Sequence, residues 1–191
     1  MKMITKKALA YSFILFINFQ AFAQETKGNN EKESRKGMQQ LSLVVSHSHI
    51  TEGESTNGGK EWIVVPAWGL DYNYWLSNHW AIGLHSDMML QSFKVKDGDE
   101  QEGSTLERKR PLAVVPVAVF KPLEHSSFIV GLGQEFAPEG NLTLMRLGYE
   151  YGLEINDKWE FCAGLTYDLK FNVYDTWTLG VGISRSFRFN K

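Results

Sequence analysis

The chain has 191 residues, 20 basic against 22 acidic side chains, a formal charge of −2, one cysteine and 13% aromatic residues. A single cysteine cannot form an intramolecular disulfide, and no basic patch for nucleic acid stands out. After Phe22 there is no further apolar run of the length a helical membrane protein needs.

The first zone is basic, with Lys2, Lys6 and Lys7, followed by an apolar run from Ala8 to Phe22 and the small-residue pattern Ala21-Phe22-Ala23. That order predicts a secretory signal peptide over residues 1–23, since the apolar run is shorter than the ~20 residues of a spanning helix. Cleavage would remove three lysines and no acid, moving the formal charge from −2 to −5. Residues 24–37 are polar and free of aromatics, and read as a flexible leader.

From Met38 onward apolar and polar residues alternate with a period of two, the mark of strands with two unlike faces. A first, less regular strand lies within Met38 to Ile50. The second places Trp62, Val64, Trp68, Leu70, Tyr72 and Tyr74 on one face, with Gly69, Asp71 and Asn73 on the other. The short turn Ser77-Asn78 leads to a third, in which Trp80, Ile82, Leu84, Met88 and Leu90 oppose Gly83, His85, Asp87 and Gln91. The fourth and fifth run from about Pro111 to Lys121 and Ser127 to Phe136. Pro66 and Pro116 interrupt the donors of their strands, but the alternation continues across both.

The sixth and seventh strands are the clearest. Met145 to Ile155 alternate with Arg146, Gly148, Glu150, Gly152 and Glu154. Asn156-Asp157-Lys158 then turns the chain into Trp159 to Asn172, where Glu160, Cys162, Gly164, Thr166, Asp168 and Lys170 form the polar or small face. If Asp157 centres the turn, Arg146 falls opposite Asp168 and Glu154 opposite Glu160, with Lys121 placed to relieve the like charges. The eighth strand carries Trp177, Leu179, Val181 and Ile183 and ends in Phe187 and Phe189.

Eight such strands predict an all-β, antiparallel, up-and-down transmembrane barrel over residues 38–191. Lipid offers no hydrogen-bond partner, so a sheet in a bilayer must close on itself. With both ends in the periplasm, the turns near Asn78, Glu124 and Asp157 fall inside, while long polar loops from Thr51 to Lys60 and Lys96 to Lys109 fall outside. Tyr74, Trp75, Trp80, Phe128, Trp159, Phe187 and Phe189 are then expected at one membrane interface and Trp62 and Trp177 at the other. The interior polar network comprises Asp71, His85, Asp87, Arg146, Glu150, Glu154, Glu160, Asp168 and Lys170.

On these features, and on the final Ser186-Phe187-Arg188-Phe189, the chain resembles the small eight-stranded outer-membrane β-barrel proteins, which include adhesion, opacity and porin-like members. Asn190 and Lys191 follow the aromatic pair, whereas in that family the chain commonly stops at the aromatic. The resemblance implies an outer-membrane location, contact with membrane lipid and lipopolysaccharide, and delivery to the barrel assembly machinery through the last strand.

The interior of an eight-stranded barrel is just wide enough for its own side chains to fill. The expected role is therefore structural or surface-interacting, with no cofactor and no catalytic residue. The alternatives are a narrow channel or small-molecule-binding barrel, a lipid-modifying enzyme using an Asp71–His85 pair, and a soluble lipocalin-like barrel. His47 and His49 share a strand face and are weak metal-ligand candidates, for which His85 and Asp87 would have to supply further ligands. Gly131-Leu132-Gly133 and Gly180-Val181-Gly182 lie at no strand-to-helix junction, and make interior room rather than a nucleotide loop.

Overall fold

The computed structural model describes residues 34–54, 60–96, 105–171 and 173–189. The expected signal peptide and most of the leader lie outside the described residues. Among the described residues there are ten strands and no helix: β1 (Gln39–Glu54), β2 (Lys60–Trp75), β3 (Trp80–Met89), β4 (Phe93–Lys96), β5 (Thr105–Arg108), β6 (Leu112–Phe120), β7 (Ser126–Phe136), β8 (Leu142–Asn156), β9 (Trp159–Lys170) and β10 (Asp175–Phe187).

Eight of them are the staves of a closed antiparallel barrel, in the order β1, β2, β3, β6, β7, β8, β9, β10, and the β10–β1 ladder closes the ring. That ladder runs without a break from Gln39↔Phe187 to Ile50↔Thr176. Each stave turns alternate residues in and out, as the two-residue repeat requires. On β1, Leu41, Leu43 and Val45 are exposed while Gln40, Ser42, Ser46 and Ser48 are buried. Trp62 and Leu132 are each 64% exposed and Leu179 59%. Apolar surface this large and continuous needs a non-aqueous surrounding.

Both prolines lie within their strands, as the alternation predicts. Pro66 pairs with His47 on β1, and the β2–β3 ladder begins one residue later at Ala67↔Met89. Pro116 pairs with Leu84 on β3, while the β6–β7 ladder stops at Val114↔Gln134 and resumes at Val117↔Gly131. The gap includes the residue that has no N–H to give.

Three expectations are corrected. β1 continues past Ile50 to Glu54 through an irregularity between Ile50 and Gly53, so the first outer loop is shorter than Thr51 to Lys60. The stretch from Lys96 to Lys109 is not simply a polar loop, because Lys96 ends β4 and β5 occupies Thr105–Arg108. The leader's last residues are also engaged: Ser34 Oγ donates to Asn78 Oδ1 at 2.9 Å and Gly37 N–H donates to the Trp75 carbonyl at 2.8 Å. Gly37 has φ +80°, a turn that glycine makes without strain and that aims the chain into β1.

Candidate functional site: the barrel interior

The inward residues fall into layers along the barrel. At the end that carries residues 34–38 and the β8–β9 turn, Glu160 accepts from Lys121 Nζ at 2.9 Å and from Gln40 Nε2 at 3.0 Å. Glu154 directly opposes Glu160 in the β8–β9 register but is exposed at the barrel end, which corrects its expected place in the interior network, and Arg35 Nη2 reaches its Oε1 at 3.2 Å. The like-charged pair is thus relieved by one cation on each carboxylate, Lys121 among them.

In the middle layer Arg146 pairs with Asp168 as the turn-centre arithmetic required, with Nε and Nη2 each donating at 2.7 Å. This two-pronged match of guanidinium and carboxylate fixes direction as well as charge. The third nitrogen, Nη1, donates to Asp87 Oδ2 at 2.5 Å. Asp87 stands on β3 and Arg146 on β8, with β6 and β7 between them in the wall, so this bond crosses the lumen.

Asp71 and His85 face one another across the β2–β3 ladder. Their nearest approach, Nδ1 to Oδ1, is 3.9 Å, too long for a hydrogen bond. His85 turns Nε2 to Asn73 Oδ1 at 3.1 Å, and Asp71 Oδ1 is buried without a hydrogen-bond partner. Asp71, His85, Arg146 and Glu150 line a cavity of about 40 Å³. A water needs roughly 10–15 Å³, so the space suits a few waters rather than an organic solute.

At the opposite, loop end lies a charge cluster that sequence reasoning missed, apart from Lys170. Glu135 on β7 accepts from Arg108 Nη2 at 2.6 Å and Nε at 3.1 Å, and lies 3.4 Å from Lys170 Nζ. Tyr174 donates to the same carboxylate, and Lys170 also donates to Thr176 Oγ1 at 2.7 Å. Burial first, and then the adjacent Glu135 carboxylate, hold the Tyr174 phenol well above its ordinary pKa, so it remains a donor. Above this cluster Ile50, Val65, Ala67, Met89, Phe93, Val95 and Tyr174 pack together.

A second apolar cluster lines one side of the barrel, where β6 turns Ala113, Val115, Val117 and Val119 inward beside Ile129 and Leu144. The polar interior is therefore one-sided. Trp75 belongs to this cluster and is 4% exposed, which corrects its expected place at a membrane interface. Tyr74 is the exposed one; adjacent strand residues cannot share a face. Arg35 sits over the Trp75 ring at 5.4 Å.

The other aromatics expected at interfaces, Trp62, Tyr74, Trp80, Phe128, Trp159, Trp177 and Phe189, are exposed, and Phe187 is half-buried against Phe189. His47 lies on the outer face of β1, and His49 has the same parity; His85 and Asp87 have the inward parity of β3. The four cannot meet around one ion, and no group of three ligands for a metal occurs among the described residues.

No protein-family model matches the sequence, and no curated protein matches it. Solved structures do match the fold. Ail, the attachment invasion locus protein of Yersinia pestis, superposes with a TM-score of 0.52 at 16% identity, covering 80% of this chain and 99% of Ail. This chain has the fold of the small eight-stranded outer-membrane β-barrels. Ail in complex with the heparin analogue sucrose octasulfate gives a TM-score of 0.54 at 18% identity, with 80% and 99% covered. Neisserial surface protein A is a looser likeness, at 0.48 and 10% identity over 81% of this chain and 99% of its own. At these identities the fold is what is shared.

Proposed function

We propose that the chain sits in the outer membrane of a Gram-negative cell as a filled barrel whose role is structural or exercised at its surface. The supporting observation is the Arg146–Asp87 bond, which ties β8 to β3 through the lumen while Asp168 holds the same guanidinium on the wall. An interior crossed by such a bond leaves no room for bulk permeation. In this reading both ends face the periplasm and the β4–β5 side faces outward, in keeping with short inner turns and longer outer loops.

The outward-facing chemistry supports contact with polyanions. Lys94 and Arg110 are exposed around the loop end, beside an exposed Glu107 and a Lys109 that lies 3.8 Å from Glu139, and phosphate-bearing lipopolysaccharide is the polyanion next to such a surface in the outer membrane. Ail has been solved with a sulfated heparin analogue, and the same chemistry would suit this rim. Delivery through the last strand to the barrel assembly machinery belongs to the same proposal.

Planar-bilayer recording of the refolded protein tests the filled barrel. No discrete steps are expected, and reproducible unit conductance would establish instead the narrow-channel reading, for which the cavity beside Asp71 is the supporting feature. The lipid-modifying reading has less support, because His85 turns Nε2 to Asn73 rather than to a serine. Mass analysis of lipid A from cells with and without the gene decides it.

A further inference from the structure

The β4–β5 ribbon is not part of the wall. β3 pairs directly with β6 from Trp80↔Phe120 to Met88↔Leu112, so the ring of eight staves is complete without it. Among the described residues the ribbon joins another strand at one residue pair, Gly53↔Val95 of β1 and β4. Its own register sets Phe93 against Arg108 and Val95 against Leu106.

Those four residues form its underside. Phe93 and Val95 are buried against the inward residues Ile50, Val65, Ala67 and Met89, and Leu106 packs at the edge of the same cluster. Lys94, Thr105 and Glu107, the alternate positions, are exposed. We propose that this ribbon is a hinged lid over the loop end of the barrel, seated by Phe93 and Val95 and latched by Arg108 on Glu135.

The attachment points suit a hinge. Met89 N–H bonds to the Pro111 carbonyl and Leu90 N–H to the Pro66 carbonyl, which pins the chain where it leaves the wall. Beyond them Leu90, Gln91 and Ser92 are exposed on one side, and on the other Arg110 is exposed next to Lys109, whose N–H donates to Glu139 Oε2 at 3.2 Å and fixes the return end of the hinge. Arg110 has φ +44°, a sparsely populated conformation for a side chain of its size. The turn therefore lies at the point where the ribbon returns to β6.

The latch is built so that it can let go. Fully buried, Arg108 donates to Glu135 and to the Gly140 carbonyl at 2.7 Å. A buried carboxylate stripped of its cation is costly. Here Lys170 already stands 3.4 Å from Glu135 and Tyr174 already donates to it, so Glu135 keeps partners when Arg108 leaves. Arg108 in turn gains water. What resists opening is the apolar seat of Phe93 and Val95.

Spin labels at Lys94→Cys and Asn141→Cys, in a Cys162→Ser background, report the gap between lid and rim by pulsed electron resonance. With the latch intact one short distance is expected. Arg108→Gln should add a longer component, raising the open population at least about tenfold; Phe93→Ala should do the same with the charges untouched, and it decides the matter if Arg108→Gln fails to fold. Hydrogen exchange on the unaltered chain provides a second reading. Amides of the β4–β5 ladder should exchange at least about tenfold faster than those of the β3–β6 ladder. One unchanged short distance in both variants, or equal protection of the two ladders, would overturn the lid. Neither measurement depends on whether the barrel conducts, so a leaky barrel and a fixed ribbon give distinguishable failures.

Discussion

Glu160 fills the space into which a side chain at Gly152 would grow. The two are diagonal neighbours on adjacent staves at the turn end, Gly152 pairing with Cys162 and Glu160 with Glu154, and the Glu160 carboxylate is held there by Lys121 and Gln40. A methyl group at Gly152 would push the carboxylate off both partners. Gly152→Ala should therefore cost about 1–3 kcal/mol, the price of charged hydrogen bonds disturbed in a buried place. Gly133→Ala should be worse, since its methyl would meet the Val114 carbonyl and the Val115 Cα at 2.7 Å, backbone that cannot swing aside. Gly164→Ala is the control: its nearest neighbour is the Tyr149 carbonyl at 3.5 Å, an ordinary contact, so the change should stay within about 0.5 kcal/mol. Urea unfolding from lipid vesicles, followed by tryptophan fluorescence, ranks the three.

Arg146→Ala strands Asp168 and Asp87 beside Asp71, whose Oδ1 already lacks a partner. The expected loss is about 3–5 kcal/mol, with a lower temperature for the heat-shift of the folded band on gels. Adding Asp168→Asn and Asp87→Asn to Arg146→Met should restore part of it. A triple variant no more stable than Arg146→Ala would show that packing, not charge, sets the cost.

Glu135 serves two cations, Arg108 and Lys170, whereas each cation has a further acceptor in Gly140 or Thr176. Removing the shared carboxylate should hurt more than removing either cation. Glu135→Gln is expected to lose about 3–5 kcal/mol and Lys170→Gln less, measured by the same unfolding assay.

Trp68 is 49% exposed on the outer face of β2 and Trp75 is 4% exposed on the inner face. In vesicles of lipid with brominated acyl chains, Trp68→Phe should remove quenchable fluorescence, while Trp75→Phe should leave the quenched amplitude unchanged. Equal losses from both substitutions would reverse the inward assignment of Trp75.

The opposition of Arg146 to Asp168, Glu154 to Glu160 and Asp71 to His85 was readable from the sequence because a hairpin's register follows from the centre of its turn. Alternation supplied the inner and outer faces for the same reason. The same parity puts Tyr74 outside and Trp75 inside, so one interface environment for both neighbouring aromatics is excluded. The ribbon leaves little trace in the sequence: Phe93 and Val95 alternate with Lys94 and Lys96, but four-residue strands in a polar stretch carry little periodic signal. Arg108, Glu135 and Tyr174 could not be foreseen as a group: they stand on separate elements that share no turn, and it is the curvature of the closed wall that brings them together.

The seam between β10 and β1 also sets an order of events. Gln39 cannot find Phe187 until nearly the whole sheet has been laid down, and loop-closing contacts of such separation form late. Until then β1 and the growing last strand each present an open row of N–H and C=O groups, a template for any other strand nearby. A chain stopped before Asp175 would keep both rows open for its lifetime, and should be met by proteases and aggregates rather than by a membrane.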